Sequence, residues 1–263
     1  MTVDTLRARP LRNVARHWRP FTAFGAVLLL WLASVRFGWV DPRFVPSPAA
    51  VLAARARTEF TTRTLAFDIS ESLRRNITGF AIGASAGLLL GLWLGFSRTA
   101  ERIVGPSLLA FRQIAIFAWV PLLSAWFGGA DAGKIAFIAV AGFQPVVINT
   151  WQGVKGLPPA YRELADVLIF SRIDYVRLVA LPGTLPAIFT GLHAGLIHAW
   201  LAALGSELFL NVTPGIGGRL NEGSQLFDMD LLFLGIIILA VIGLFYNSSA
   251  VWLETRLLRT RTR

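Results

Sequence analysis

Polar side chains set inside long apolar runs mark where this chain could do chemistry. Arg112 and Gln113 sit deep in one run and Gln144 and Asn149 in another, while His193, His198 and Glu207 fall in or at the end of a third. An ionisable group inside a bilayer marks a solute or ion path unless it is paired or can stretch its charge to the headgroups. Arg112 admits both readings: a buried functional arginine, or one that snorkels from a helix end. Gln144 and Asn149 suit hydrogen bonds between neighbouring helices. His193 and His198 lie roughly 140° apart around a helix, so at most one of them faces a cavity. With Trp119 from Ala118-Trp119-Val120-Pro121-Leu122, the candidates for a translocation pathway are Arg112, Trp119, Gln144, His193, His198 and Glu207. Catalysis finds no footing. The histidines (His17, His193, His198) are scattered, there is no cysteine, and no acid cluster accompanies them, so neither a metal site nor a general acid–base pair emerges. No Gly-x-x-x-x-Gly-Lys-Ser/Thr loop is present, so the chain is not itself an ATPase.

The elements that must position these side chains are membrane helices. Of 263 residues, 55% are hydrophobic, with a mean hydropathy of +0.60, which is too apolar for an ordinary soluble domain. The apolar blocks are long enough to cross a bilayer, which takes ~20 residues per helix. Six spans are predicted, over 21–40, 76–97, 103–127, 133–151, 179–204 and 230–253. The first is no cleavable signal, because Val35-Arg36-Phe37 offers no small-x-small site. Residues 1–20 read as a basic cytoplasmic segment and 21–75 as the first span plus an outer stretch. The core runs over 76–255, and 256–263 form a basic tail. In the outer stretch, Phe44-Val45-Pro46-Ser47-Pro48 predicts a proline-stiffened turn. A short amphipathic helix over Ala49–Phe60 would follow on the outer surface. Pro121 predicts a kink or a half-helix end in the third span, and Asn211–Asp230 reads as an outer loop.

The net charge of +10 rests on arginine. In a soluble protein it would suggest nucleic acid, but here the arginines flank apolar blocks as topological anchors. With both termini cytoplasmic, more than half of the 25 Lys and Arg residues fall on the cytoplasmic side. Arg74 and Arg75 are the exceptions, abutting the second span on the other side with Asp68 and Glu71 nearby. Within that span Gly79, Gly83, Gly87, Gly91 and Gly95 recur every fourth residue. They leave one helix face bare for close packing against another helix.

A polar island, residues 158–178, separates the fourth span from the fifth. Tyr161, Leu164 and Leu168 share one helix face while Arg162, Glu163 and Asp166 point elsewhere; Ile173 and Val176 repeat the pattern. Such a pair of short amphipathic helices suits a protein groove. From Glu163 the order is Glu163, Leu164, Ala165, Ile169, then Leu181-Pro182, Pro186 and Gly191. This order resembles the EAA signature of the membrane subunits of ATP-binding-cassette (ABC) importers. Leu164 replaces the middle Ala and Ile169 replaces the Gly. Because Ile resists the left-handed turn a Gly permits, the bend between the short helices is expected to differ in shape. Phe44-Val45-Pro46-Ser47-Pro48, Ala118-Trp119-Val120-Pro121-Leu122 with Trp126-Phe127-Gly128, and Gly215-Ile216-Gly217 resemble the nitrate/sulfonate/taurine permeases, over about residues 40–255.

The resemblance implies an all-α integral membrane protein, a six-helix type I ABC importer permease in the bacterial inner membrane. It implies a homodimer of permeases, two cytoplasmic ATPase subunits that bind ATP and Mg, and an extracytoplasmic solute-binding protein. The Glu163 segment would be the coupling helix, with small Ala165 where the ATPase surface comes close. A sulfonate, taurine or nitrate would be the solute. A secondary transporter is the alternative. The absence of an internal repeat, and the scarcity of acidic residues within the spans, stand against it.

Overall fold

The computed structural model describes residues 11–54, 62–210 and 214–259. Among the described residues all regular structure is helical. The helices are α1 (Leu11–Arg36), α2 (Pro48–Ala54), α3 (Thr62–Phe96), α4 (Arg98–Gln113), α5 (Val120–Phe127), α6 (Asp131–Lys155), α7 (Pro159–Val167), α8 (Arg172–Asp174), α9 (Leu181–Phe209), α10 (Ile216–Gln225) and α11 (Met229–Arg259). Among the described residues four helical stretches are long and apolar enough to cross a membrane: Leu65–Phe96, Asp131–Lys155, Arg172–Phe209 and Met229–Arg256. A bent pair, Arg98–Gln113 with Ile116–Phe127, makes a fifth crossing if it counts as one. Among the described residues a shorter apolar helix, Gly25–Arg36, lies within α1. Four or five of the six expected spans are thus matched by length and composition among the described residues, and the first is left untested.

The glycine face of α3 lies directly on α6. A side chain at Gly79 would meet Ile138 at 2.7 Å, at Gly87 Val146 at 3.0 Å, at Gly91 Thr150 at 2.7 Å and at Gly95 Val154 at 2.5 Å. At Gly83 it would overlap the Ala139 carbonyl oxygen. With no Cβ between them the backbones approach each other closely, so dispersion contacts stand in for the hydrophobic driving force that lipid does not supply. On its other side α6 packs on α9, where Gly191 faces Asn149 and Pro145. Phe137, Ile138, Ala141, Ala199, Ala202 and Ala203 fill the centre of this three-helix core.

Several local expectations change. The third span breaks at Ile114-Ala115, both extended (ψ 122° and 134°), and its two arms meet at 99°. Pro121 is not the break, because it occupies the first turn of α5, where a missing N–H costs nothing. The short outer helix covers Pro48–Ala54, and residues 55–60 of the expected helix lie outside the described ones. One face of it, Val51 and Ala54, is buried against Leu231 and Leu234 of α11, while Leu52 on the other face is exposed. The expected outer loop 211–230 contains α10. Asn149 bonds within its own helix, to the Pro145 carbonyl, at 2.8 Å.

Candidate functional site

The three core helices bring two functional regions to opposite ends. At one end lie Arg75 of α3, Asp131 of α6 and Glu207 of α9. At the other lie Glu101 and Lys155, which ion-pair α4 to the end of α6, and then α7.

At this second end, Pro158 and Pro159 start α7, where proline's fixed φ suits the first turn. The helix closes in a Schellman motif: the Ile169 N–H bonds to the Asp166 carbonyl at 3.1 Å and the Phe170 N–H to the Ala165 carbonyl at 3.0 Å. This geometry needs a left-handed residue after the cap, and Ile169 supplies it with φ +54°. The bend is thus the one a glycine would make, held by a β-branched residue at a strain cost of about 1–2 kcal/mol. Ser171 then opens α8 with a capping box: its hydroxyl accepts from the Asp174 N–H at 3.2 Å, and the Asp174 carboxylate accepts from the Ser171 N–H at 3.3 Å.

No break follows. Tyr175–Ala180 form a π turn in which the Leu181 N–H reaches the Val176 carbonyl, and the chain continues as α9. Pro182 has no N–H to close an ordinary turn, and such widening is how a helix accommodates that loss. The second short helix is therefore the first part of the membrane helix Arg172–Phe209. Glu163 is exposed, as are Leu164 (57%), Val167 (77%), Leu168 (54%) and Ile169 (89%). Ala165 is covered by the chain itself, at 3%, so the free face is that of Leu164 rather than Ala165. Of the motif's later residues, Leu181 and Pro186 are exposed, Pro182 is half-buried and Gly191 is buried.

The opposite end holds a charge clasp that sequence reasoning missed. Arg75, 2% exposed, donates to Asp131 at 2.7 Å, to Glu207 at 3.2 Å and to the Pro214 carbonyl at 2.6 Å. Glu207 also accepts from the Ser72 hydroxyl at 2.7 Å and the Gly217 N–H at 2.8 Å. Asp68 accepts from the Gly215 N–H at 3.1 Å and from Arg219 at 2.8 Å. The Ser72 hydroxyl oxygen accepts from the Ile216 N–H at 3.1 Å. The first amides of α10, which no helix satisfies internally, are thus held by α3 and α9, and the two carboxylates suit the positive helix end. A side chain at Gly215 or Gly217 would meet Glu207 at 2.6 Å. Glycine is what lets the carboxylate reach the backbone. Arg75 is accordingly no stray topological anchor, because its charge is neutralised inside the bundle.

The other pathway candidates do not converge. His193 bonds Asn247 of α11 at 2.9 Å, and His198 bonds the Ala194 carbonyl of its own helix at 2.8 Å. Arg112 is exposed beside the break. Trp119 stands against Phe111, with ring centroids 5.0 Å apart. Trp119 Nε1 and Gln144 Nε2 are buried donors without a partner. No hydrogen bond or ring contact joins any two of the six among the described residues.

A helical bundle with four or five apolar helices of membrane length is that of a multi-pass membrane protein. Residues 85–259 match the family described as binding-protein-dependent transport system inner membrane component, and the chain belongs to that family. Bacillus subtilis (strain 168) SsuC, named as an aliphatic sulfonates transport permease, is 31% identical over 258 residues, covering 98% of this chain and 93% of that protein. The nitrate import permease NrtB of Leptolyngbya laminosa is 32% identical over 202 residues, 74% of this chain and 70% of that one. The fold is shared with a chain of the inward-facing MetNI methionine ABC transporter. The TM-score is 0.66 at 15% identity, over 76% of this chain and 99% of that chain. The protein is a permease subunit of an ABC importer.

Proposed function

We propose that this permease carries a small oxyanion, a sulfonate or nitrate, across the bacterial inner membrane. Two copies of the chain would work with two cytoplasmic ATPase subunits, which bind ATP and Mg, and with an extracytoplasmic solute-binding protein. The names of the relatives support the solute class, and the arginine bias supports cytoplasmic termini. The observation that carries the coupling is the free apolar face of α7. Leu164, Val167 and Leu168 are more than half exposed on a helix outside the candidate spans, next to Ile169. Apolar side chains left bare beside Glu163 and Asp166 fit a protein groove better than water. Displacement of α7 would pass through the hydrogen-bonded turn at Ile169 and Ser171 into the unbroken helix that the π turn joins to α9, favouring the rigid-body motion that alternating access requires. Arg112 and Trp119 of the broken span and Gln144 of α6 are the proposed pathway side chains, with His193 and His198 on α9.

Proteoliposomes holding the permease–ATPase complex, supplied with the binding protein, test this reading. Saturable, ATP-dependent uptake of labelled sulfonate or nitrate is expected. Uptake of an uncharged solute alone would contradict the oxyanion assignment.

A further inference from the structure

Behind α7, away from its apolar face, lies a cleft of about 660 Å³. Phe96 and Arg98 from the junction of α3 and α4 line it, with Arg162, Ala165 and Asp166 from α7 and Arg172 from α8. Three guanidiniums and one carboxylate leave it net positive. Among the described residues, none of Arg98, Arg162 and Arg172 pairs with a carboxylate, whereas Arg74, Arg75, Lys155 and Arg219 all do. Phe96 ends one candidate membrane helix and Arg172 begins another, so the cleft lies where two membrane helices end, rather than along their middles.

We infer that this cleft binds a phosphate-class anion, the phosphodiester headgroup of an anionic lipid. The guanidinium fork matches phosphate oxygens two at a time, and basic pockets between membrane helices on the cytoplasmic side hold such headgroups. Phe96, 40% exposed at the rim, offers an apolar surface to the attached acyl chains. A bound headgroup would bridge the α3–α4 junction to the rear of α7 and leave the Leu164 face free. The cytoplasmic leaflet follows from the proposed orientation; the site itself follows from the cleft and its unpaired charges.

The test is phosphatidylglycerol retention by the purified permease–ATPase complex, read by native mass spectrometry after reconstitution in mixed phosphatidylglycerol–phosphatidylcholine nanodiscs. Arg162→Gln/Arg172→Gln is compared with Arg102→Gln/Arg177→Gln, which removes equal charge from exposed arginines outside the cleft. The cleft pair should weaken retention on the order of twentyfold and the control pair by less than about threefold. Arg162→Lys/Arg172→Lys, keeping the charge, should recover most of the loss and exclude misfolding as its cause. Inorganic phosphate, titrated into the same samples, separates the sources. No displacement of the lipid assigns the site to the headgroup. Displacement by phosphate that binds wild type but not the cleft pair assigns it to free phosphate. Equal losses in both pairs, or loss in neither, would overturn the inference and leave the cleft to solvent or to an acidic segment of a partner.

Discussion

At single residues, the chain tolerates strain and buried charge where geometry demands them. Ile169 keeps the left-handed turn of the Schellman motif although its side chain opposes it. Ile169→Gly should raise stability by about 1 kcal/mol, seen as a higher melting temperature of the solubilised permease; an unchanged or lower one would mean the turn is not strained. Arg75 and Arg74 are adjacent in sequence and differ in burial, at 2% and 48% of the side chain. Arg75→Met strands buried Glu207 and should cost about 3–5 kcal/mol. Arg74→Met removes an exposed pairing worth less than about 1 kcal/mol. Thermal unfolding followed by size-exclusion chromatography would rank them, and equal losses would remove the clasp's importance. Nothing local in the sequence reveals this clasp. Arg75 meets Asp131 and Glu207 across 56 and 132 residues, and charge counting alone misreads Arg75 as a misplaced anchor.

At the scale of elements, periodicity was the readable signal. The four-residue glycine repeat announces a bare helix face, and α6 occupies that face along its whole length. Gly83 is the tightest point, since even a methyl would overlap a backbone carbonyl, which cannot move aside like a side chain. Gly83→Ala should therefore destabilise by about 1–3 kcal/mol, and Gly87→Ala, whose methyl would stay 3.0 Å from the Phe143 carbonyl oxygen and the Val146 side chain against 2.2 Å at Gly83, by less. Folded yield after detergent extraction would check the order, and the reverse order would count against backbone contact as the cause. Helix breaks were harder to read. Pro121 drew the expected kink but sits harmlessly in a first turn, while the 99° break falls at Ile114-Ala115, where no proline or glycine marks it. The fifth span, expected to begin at 179, likewise begins earlier, at Arg172, because the helix runs through Pro182 by widening one turn.

For the whole molecule, helix connectivity sets the clasp and the α7 segment at opposite ends of α3, α6 and α9, so one end can be rigid while the other meets a partner. The polar island was legible because its residue order stands out from apolar surroundings. Its exposed face was not: the resemblance pointed to Ala165, which folding covers, while Leu164 and Val167 stay outside. The central claim is that this face touches the ATPase. The chain has no cysteine, so a single introduced thiol reports its own surroundings. The direct measurement is crosslinking from Val167→Cys to the ATPase subunit in the intact complex, beside Phe227→Cys, which is equally bare (78%) but beyond α10 at the clasp end. Crosslinks from Val167→Cys and none from Phe227→Cys are predicted. An ATPase adduct at Phe227→Cys, or none at Val167→Cys in an assembled complex, would contradict the account.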